Sequence, residues 1–400
     1  MTVTNPREGF RWIVGIENAF IPDMGVDELT WTRHRERWRE DLALARDTGA
    51  DAVRYGITWP EIEIAPGRYR WGAVDLVVDE FERLELEPIW DLVHFGVPQH
   101  LKGGFLDPAF PDAFAAYAGA FAARYRGHVR KITPLNEPYI TTYFRAGKAI
   151  WPPHLPGTEG FARMLHPIVV GLRRAIRAID AVAPDTEIWL NDGADTFHTA
   201  DPTLRPEADF RTLQRYAAFD LLLGGPHAHE THTWLREAGF PEVDLVDDPV
   251  RVDVIGLDYY PQTEHVLSRG PDGATLQDTA PPEVRAGVHA ACRAFFERYG
   301  RPLFIAESSA SGDDGTRRAW IDWNLRELRA AHAAGIPVVG YTWWPLFDHV
   351  DWDSLLIDLK GSVCPAGLYH LRPTTADRAP TDAAAAFREA AAAGFGGDAA

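Results

Sequence analysis

Cysteine is almost missing from this chain: Cys292 and Cys364 are the only two in 400 residues. Two isolated thiols build neither a disulfide framework nor a Cys-based metal site, so both are expected to be free. Long apolar runs are missing as well. No segment approaches the roughly 18 apolar residues of a membrane span, and the polar stretch Met1–Arg11 lacks the apolar core of a secretory signal. The expectation is a soluble, cytoplasmic protein with no membrane partner. Basic runs do not occur beyond scattered Arg pairs, and 58 acidic residues against 40 basic ones leave a formal charge of -18. Such a surface repels nucleic acid and anionic lipid and suits neutral or cationic ligands. Finally, no glycine fingerprint of a dinucleotide site follows the first strand-like run, so no nucleotide cofactor is expected.

What the chain does contain is rhythm. Short β-rich apolar runs alternate with longer helical patterns from end to end, the pattern of repeated βα units around a parallel sheet. Eight strands are predicted, over Trp12–Ile16, Ala52–Gly56, Glu87–Asp91, Lys131–Leu135, Glu187–Asn191, Val254–Tyr259, Leu303–Ala306 and Val338–Trp343. Helices are predicted over Arg33–Thr48, Val74–Leu84, Pro111–Tyr125, Phe161–Val182, Ala208–Leu223, Glu283–Tyr299 and Ala319–Ala334. Gly49, Pro88, Pro184, Gly300 with Pro302, and Gly335 with Pro337 punctuate most helix ends, each where a helix must stop before the next strand. Strands apolar on both faces, repeated eight times, fit a closed (β/α)8 TIM barrel in the α/β class better than an open doubly wound sheet. The barrel is expected over residues 1–380. Residues 381–400 read as an Ala/Gly-rich terminal helix whose end, Ala391–Ala400, frays.

In such a barrel the reactive groups come from the C-terminal ends of the strands and the loops after them. Those ends carry Arg54, His94, Asn136 with Glu137, Asp258 to Tyr260, Glu307, and Trp344. Two carboxylates on opposite sides of a barrel mouth, Glu137 and Glu307, are what acid-assisted attack at an anomeric carbon requires: one protonates the leaving oxygen while the other attacks or activates water. Fourteen Trp and twelve Tyr include candidates for sugar-stacking platforms. Trp343 and Trp344 are adjacent on a strand and point to opposite faces, so only one of them can line the mouth. The run His227-Ala228-His229-Glu230 with His232 follows Gly224-Gly225-Pro226, a loop signal, and reads as an exposed loop instead of a metal site.

The neighbours of the two Glu resemble glycoside hydrolase family 1, within clan A of the glycosidases. Leu135-Asn136-Glu137-Pro138 is similar to its Asn-Glu-Pro signature, which implies that Asn136 binds the sugar 2-hydroxyl and Glu137 is the acid/base. His94-Phe95-Gly96-Val97-Pro98 resembles its third-strand motif, making His94 a sugar contact next to the cleaved bond. Arg54, ahead of Trp59-Pro60, matches the Arg that hydrogen-bonds the nucleophile. Ile255-Gly256-Leu257-Asp258-Tyr259-Tyr260 gives the same task to Tyr260. Gly340-Tyr341-Thr342-Trp343-Trp344-Pro345-Leu346-Phe347-Asp348, followed by Asp351-Trp352, looks like the last-strand motif, with Trp344 as the platform and Asp351 and Trp352 at the outer hydroxyls. The resemblance runs in order from about Arg11 to Leu368.

Three departures accompany it. The nucleophile segment Ala306-Glu307-Ser308-Ser309 keeps only the Glu of the family's Thr-Glu-Asn-Gly. The first strand, Val14-Gly15-Ile16-Glu17-Asn18-Ala19-Phe20, has no Gln to grip the 3- and 4-hydroxyls, and Glu17 stands in its place as a candidate substrate contact. Asp351 occurs where the family usually has Glu. The reading is a retaining β-glycosidase acting on a small or oligosaccharide glycoside by double displacement, with neither metal nor organic cofactor. A transglycosidase using the same two Glu and a catalytically silent sugar-binding barrel are the alternatives.

Overall fold

The computed structural model describes residues 9–241, 248–372, 375 and 377–396. Eight parallel strands close into one barrel. They are β1 (Arg11–Gly15), β2 (Ala52–Gly56), β3 (Glu87–Asp91), β4 (Lys131–Thr133), β5 (Glu187–Gly193), β6 (Val254–Asp258), β7 (Leu303–Glu307) and β8 (Val338–Trp343). Each pairs with its predecessor, and β8 closes on β1 from Arg11↔Gly340 to Val14↔Trp343. The expected strands thus form, with ends shifted by a residue or two.

Side chains alternate across a strand, and both faces here are buried. One face of each strand, with Trp12, Val14, Val53, Trp90, Ile188, Leu257 and Ile305, joins the large core under the helices. The other face fills the barrel with a separate cluster of Ile13, Ala52, Ile89, Trp189, Val254, Phe304 and Ala306. One pleat further along, the inward positions turn polar: Ala52 gives way to Arg54, Ile89 to Asp91, Trp189 to Asn191, and Val254, past Gly256, to Asp258. The barrel is therefore an apolar plug topped by a polar layer at its C-terminal end. A cavity of about 1180 Å³ lies at the other end, among Arg11, Glu87, Lys131, Glu187 and Val338.

The surrounding helices include α1 (His34–Asp47), α2 (Gly72–Leu84), α3 (Phe110–Arg124), α4 (Pro138–Arg145), α5 (Gly157–Val182), α6 (Arg205–Gln214), α7 (Ala217–Leu223), α8 (Pro226–Glu237), α9 (Gly287–Tyr299), α10 (Asp314–Ala333) and α11 (Asp382–Ala393). Three sequence expectations change. The single helix over Ala208–Leu223 is two, α6 and α7. They part at Arg215, whose guanidinium donates to the carbonyls of Ala194 and Asp195 at 2.9 Å each and so draws the chain inward. The His227 run is not a loop but the first turns of α8: Gly224 and Gly225, both at positive φ, make the break, and Pro226 starts the helix. The terminal helix stays regular to Ala393 and belongs to the main core. Thr381 caps it, Phe387 meets Trp12 edge-on at 5.6 Å, and Phe395 stacks on Phe10. The last part of the expected frayed end, 397–400, lies outside the described residues. Cys292 and Cys364 are buried free thiols. No helix among the described residues is long and apolar enough to cross a membrane.

Candidate active site

After β4 the chain turns through Asn136 and Glu137 straight into α4, which Pro138 opens because its missing N–H costs nothing at a first helical turn. The turn forces Glu137 to φ 45° and ψ 67°, a left-handed conformation that costs a residue with a Cβ about 1–3 kcal/mol. Asp192 stabilises it: its carboxyl group accepts the N–H groups of Tyr139 at 2.7 Å and Ile140 at 3.3 Å, satisfying two donors of the first turn of α4. Glu137 is thereby held over the polar layer, 9% exposed.

Glu307 ends β7 on the facing side and is 5% exposed. Arg54 donates to its Oε1, and the Tyr260 hydroxyl donates to its Oε2 at 2.8 Å. Arg54 is itself fully buried and fixed from several strands. Its Nη2 donates to the Asn136 Oδ1, and to Asp91 and Asn191 at 3.2 Å each, while Asp91 pairs with His94 Nδ1 at 2.7 Å. Burial works against the Arg54 charge, but Glu307, Asp91 and Asp258 outweigh it and push its pKa further up, so the guanidinium stays charged. The phenol of Tyr260 is pushed well up by burial and by the Glu307 charge, so it remains a donor.

The environments of the two Glu are unlike. Burial raises both above the ordinary carboxyl range. At Glu137 the charges of Asp258, Glu307 and Asp192 push the same way, whereas at Glu307 the Arg54 and His94 charges push back. Glu137 is the group that holds a proton, and Glu307 the one that can be an anion.

The other residues named from sequence fall into two groups. Trp344 lies parallel to the His94 ring at 5.6 Å, with the Arg54 guanidinium 5.0 Å from its centre, and its Nε1 donates to Glu17 at 3.0 Å. A Cβ on Gly15 would come within 1.7 Å of this indole, so only glycine leaves room for it. Glu17 also accepts the Ala19 N–H at 2.9 Å and lies 3.7 Å from His94 and 3.9 Å from His349. Burial would raise its pKa, yet the two histidines and the Ala19 N–H together lower it to about 2. Asn136 is 3.4 Å from His94 and accepts Asn191 Nδ2 at 2.8 Å. Glu17, Arg54, His94, Asn136, Tyr260, Trp344 and Glu307 are thus linked through one network, and Glu137 brings an oxygen within 4.8 Å of one on Glu307.

Asp351 and Trp352 stand at its edge. Each oxygen of Asp351 accepts one N–H group, from Gly361 at 2.9 Å and from Ser362 at 2.7 Å, so this carboxylate is tied to a loop. Trp352 stacks on His349 and through it reaches Glu17. Trp343 is turned away, donating to the Ala366 carbonyl at 3.0 Å.

Asp91, Asn191 and Asp192 belong to none of the sequence motifs, and Asp258 stands at its strand end in one of them with no role attached. Three of them, Asp91, Asn191 and Asp258, share the inward parity of Arg54 on their strands, which is the signal that could have found them. Glu137, Asp258 and Glu307 each bring an oxygen within 4.8 Å of the others, the one such convergence among the described residues. The cation beside this cluster belongs to the protein itself, in Arg54.

An acidic pair in unlike environments at the C-terminal mouth of a closed (β/α)8 barrel is the arrangement that glycoside hydrolases of this fold use. The profile described as Glycosyl hydrolase family 1 matches residues 28–389. The chain belongs to that family and is a glycoside hydrolase. Among its relatives are a bifunctional β-D-glucosidase/β-D-fucosidase of Bifidobacterium breve, 26% identical over 79% of each chain, and β-glucosidase A of Thermotoga maritima, 24% identical over 84% of this chain and 81% of its own. The fold superimposes on a family 1 β-glucosidase from T. maritima, solved with isofagomine lactam, at a TM-score of 0.79 and 20% identity over 97% of this chain and 98% of that one.

Proposed function

We propose that the protein cleaves β-glycosides with retention of configuration, Glu307 being the nucleophile and Glu137 the acid/base. The observation that carries this reading is the asymmetry of the pair: Glu307 is held by Arg54 and Tyr260, while Glu137 is surrounded by negative charge. Each brings an oxygen within 4.8 Å of the other, a close approach that favours the roughly 5–5.5 Å group separation of retaining pairs over the wider spacing of inverting ones.

In the first step a Glu307 oxygen bonds to the anomeric carbon as the glycosidic C–O bond breaks, and Glu137 gives its proton to the departing oxygen. Arg54 and Tyr260 keep Glu307 oriented for attack. Forming the ester removes the Glu307 charge, which lowers the proton affinity of Glu137 and makes it a base. In the second step Glu137 takes a proton from water, the water oxygen bonds to the anomeric carbon, and the electron pair of the ester bond returns to Glu307. Trp344, lying against His94, would carry an apolar sugar face, and Glu17 would hold outer hydroxyls. The relatives' activities point to β-glucosides and β-fucosides as the first substrates to try. The carboxylates Glu17, Asp258, Glu137 and Glu307 together weigh against an anionic sugar.

The test is Glu307→Ala with an aryl β-glycoside. Turnover should fall by several orders of magnitude with the fold intact, and added azide should restore part of it, giving a glycosyl azide of inverted configuration. Near-normal turnover in this variant would place the nucleophile elsewhere.

A further inference from the structure

Asp258 is the last residue of β6 and, with Val254 and Gly256, points into the barrel. It is 1% exposed. Its Oδ2 accepts Asn191 Nδ2 at 2.5 Å. Its Oδ1 is buried and has no donor. A buried acceptor left empty bears its full desolvation cost, more so when charged, so such an atom calls for a proton nearby. The groups that face it are Glu137 from the β4 end, Glu307 from β7, Arg54 from β2, Asp192 from β5 and the phenol of Tyr260. Arg54 is already engaged by Glu307, Asp91 and the two Asn, and Tyr260 by Glu307. Asp192 is engaged by the first turn of α4. What remains is Glu137, and two ionised carboxylates side by side are both acceptors with nothing to share. One proton between them satisfies the empty oxygen and removes a like-charge contact from a dry site.

We propose that Asp258 is a positioning residue for the acid/base: its unpaired Oδ1 takes the proton of Glu137 in a hydrogen bond, so that the two carboxyl groups hold one proton between them. The proposal rests on the glycosidase reading of the same site and gives Asp258 two tasks in it. Before cleavage Asp258 holds Glu137 in its acid form and fixes where the proton points. After the proton has left with the aglycone, the pair is doubly charged, and this repulsion makes Glu137 a stronger base toward the water that releases the sugar. The proton taken from that water restores the shared state, so the cycle closes without any other acid.

The experiment is the pH dependence of kcat/KM for the parent, Asp258→Asn and Asp258→Ala. Asn keeps the shape but removes the charge and offers an amide N–H to Glu137. Its alkaline limb should therefore lie lower than the parent's by about one pH unit or more, since losing a neighbouring anion makes Glu137 easier to ionise. Asp258→Ala should shift the limb in the same direction. A residue that served only the fold would lower activity at every pH and leave the limb in place, and that result would overturn the proposal. A second readout needs no turnover: infrared titration of the carboxylic-acid stretch in protein carrying 13C-labelled carboxyl groups. The parent should show a buried protonated carboxyl at neutral pH that is lost from neutral samples of both Asp258→Asn and Glu137→Gln. Persistence of that band, with an unchanged titration, in either variant would overturn the shared proton. Should the parent hydrolyse no β-glycoside, the glycosidase reading fails on its own, and the infrared titration still decides the shared proton.

Discussion

Trp344 can sit against His94 only because residue 15 has no side chain, so the platform of the site is set by an absence. Adding one methyl there overfills a closed space, which costs about 1–3 kcal/mol unless the ring moves. Gly15→Ala should shift Trp344, changing the near-ultraviolet circular dichroism and lowering kcat/KM about tenfold or more, chiefly through KM, while the barrel still folds. An unchanged KM would show that the indole does not bear the sugar. Glu17 meets the Trp344 indole N–H and faces two histidines. Glu17→Gln removes a charged acceptor, and hydrogen bonds to charged groups are worth about 1.5–3 kcal/mol. The ranking of β-glucoside, β-fucoside, β-galactoside and β-xyloside by kcat/KM should therefore change by roughly tenfold or more between parent and variant. Identical rankings would remove Glu17 from specificity. At Asp351 the last-strand motif gives the residue type, whereas the Gly361 and Ser362 N–H groups that hold its oxygens lie in a loop whose path a local pattern does not specify.

At the scale of elements, one carboxylate ties three pieces of chain behind the site. Glu264 begins the strand Glu264–Arg269 of a small outer sheet and accepts the Tyr259 hydroxyl and His198 Nε2 at 2.6 Å each, and the N–H groups of Ala286 and Gly287, at the start of α9, at 2.7 and 2.8 Å. Tyr260, which holds Glu307, is next in sequence and is fixed by Thr263 Oγ1 at 2.9 Å. Burial would raise the Glu264 pKa, but these donors together bring it down to about 2 from 4.5. A depressed carboxyl stabilises the fold above its ordinary pKa, and that contribution is lost as pH falls from about 4.5 toward 2. Glu264→Gln should therefore cost about 1–3 kcal/mol near pH 7, and the gap from the parent should close as the pH is lowered through that window, in denaturant unfolding at each pH. A gap independent of pH would mean that the charge is not what ties the elements together. The strands were legible because both of their faces are buried, leaving continuous apolar runs between Gly and Pro stops. The break between α6 and α7 was not. Its cause is the reach of Arg215 to carbonyls some 20 residues away, and the local period carries no trace of that contact.

For the whole molecule, the polar layer of Arg54, Asp91, Asn191 and Asp258 above an apolar plug explains why the chemistry gathers at one end while α11 packs against the other. The count and order of βα units were readable from sequence, as was the pairing of Glu137 with Glu307, since barrel geometry brings strand ends together whatever their separation along the chain. Asp91 and Asp258 share the inward parity of Arg54, but which of them meets which partner depends on strand register and side-chain direction, and a motif does not carry those. The most direct measurement is the mass of the protein after incubation with a 2-deoxy-2-fluoro β-glycoside bearing a good leaving group, followed by peptide mapping. A gain of one fluorosugar, located on Glu307 and absent from Glu307→Ala, is the expected result. A label on another carboxylate, or steady turnover to the inverted anomer with no label at all, would contradict the assignment.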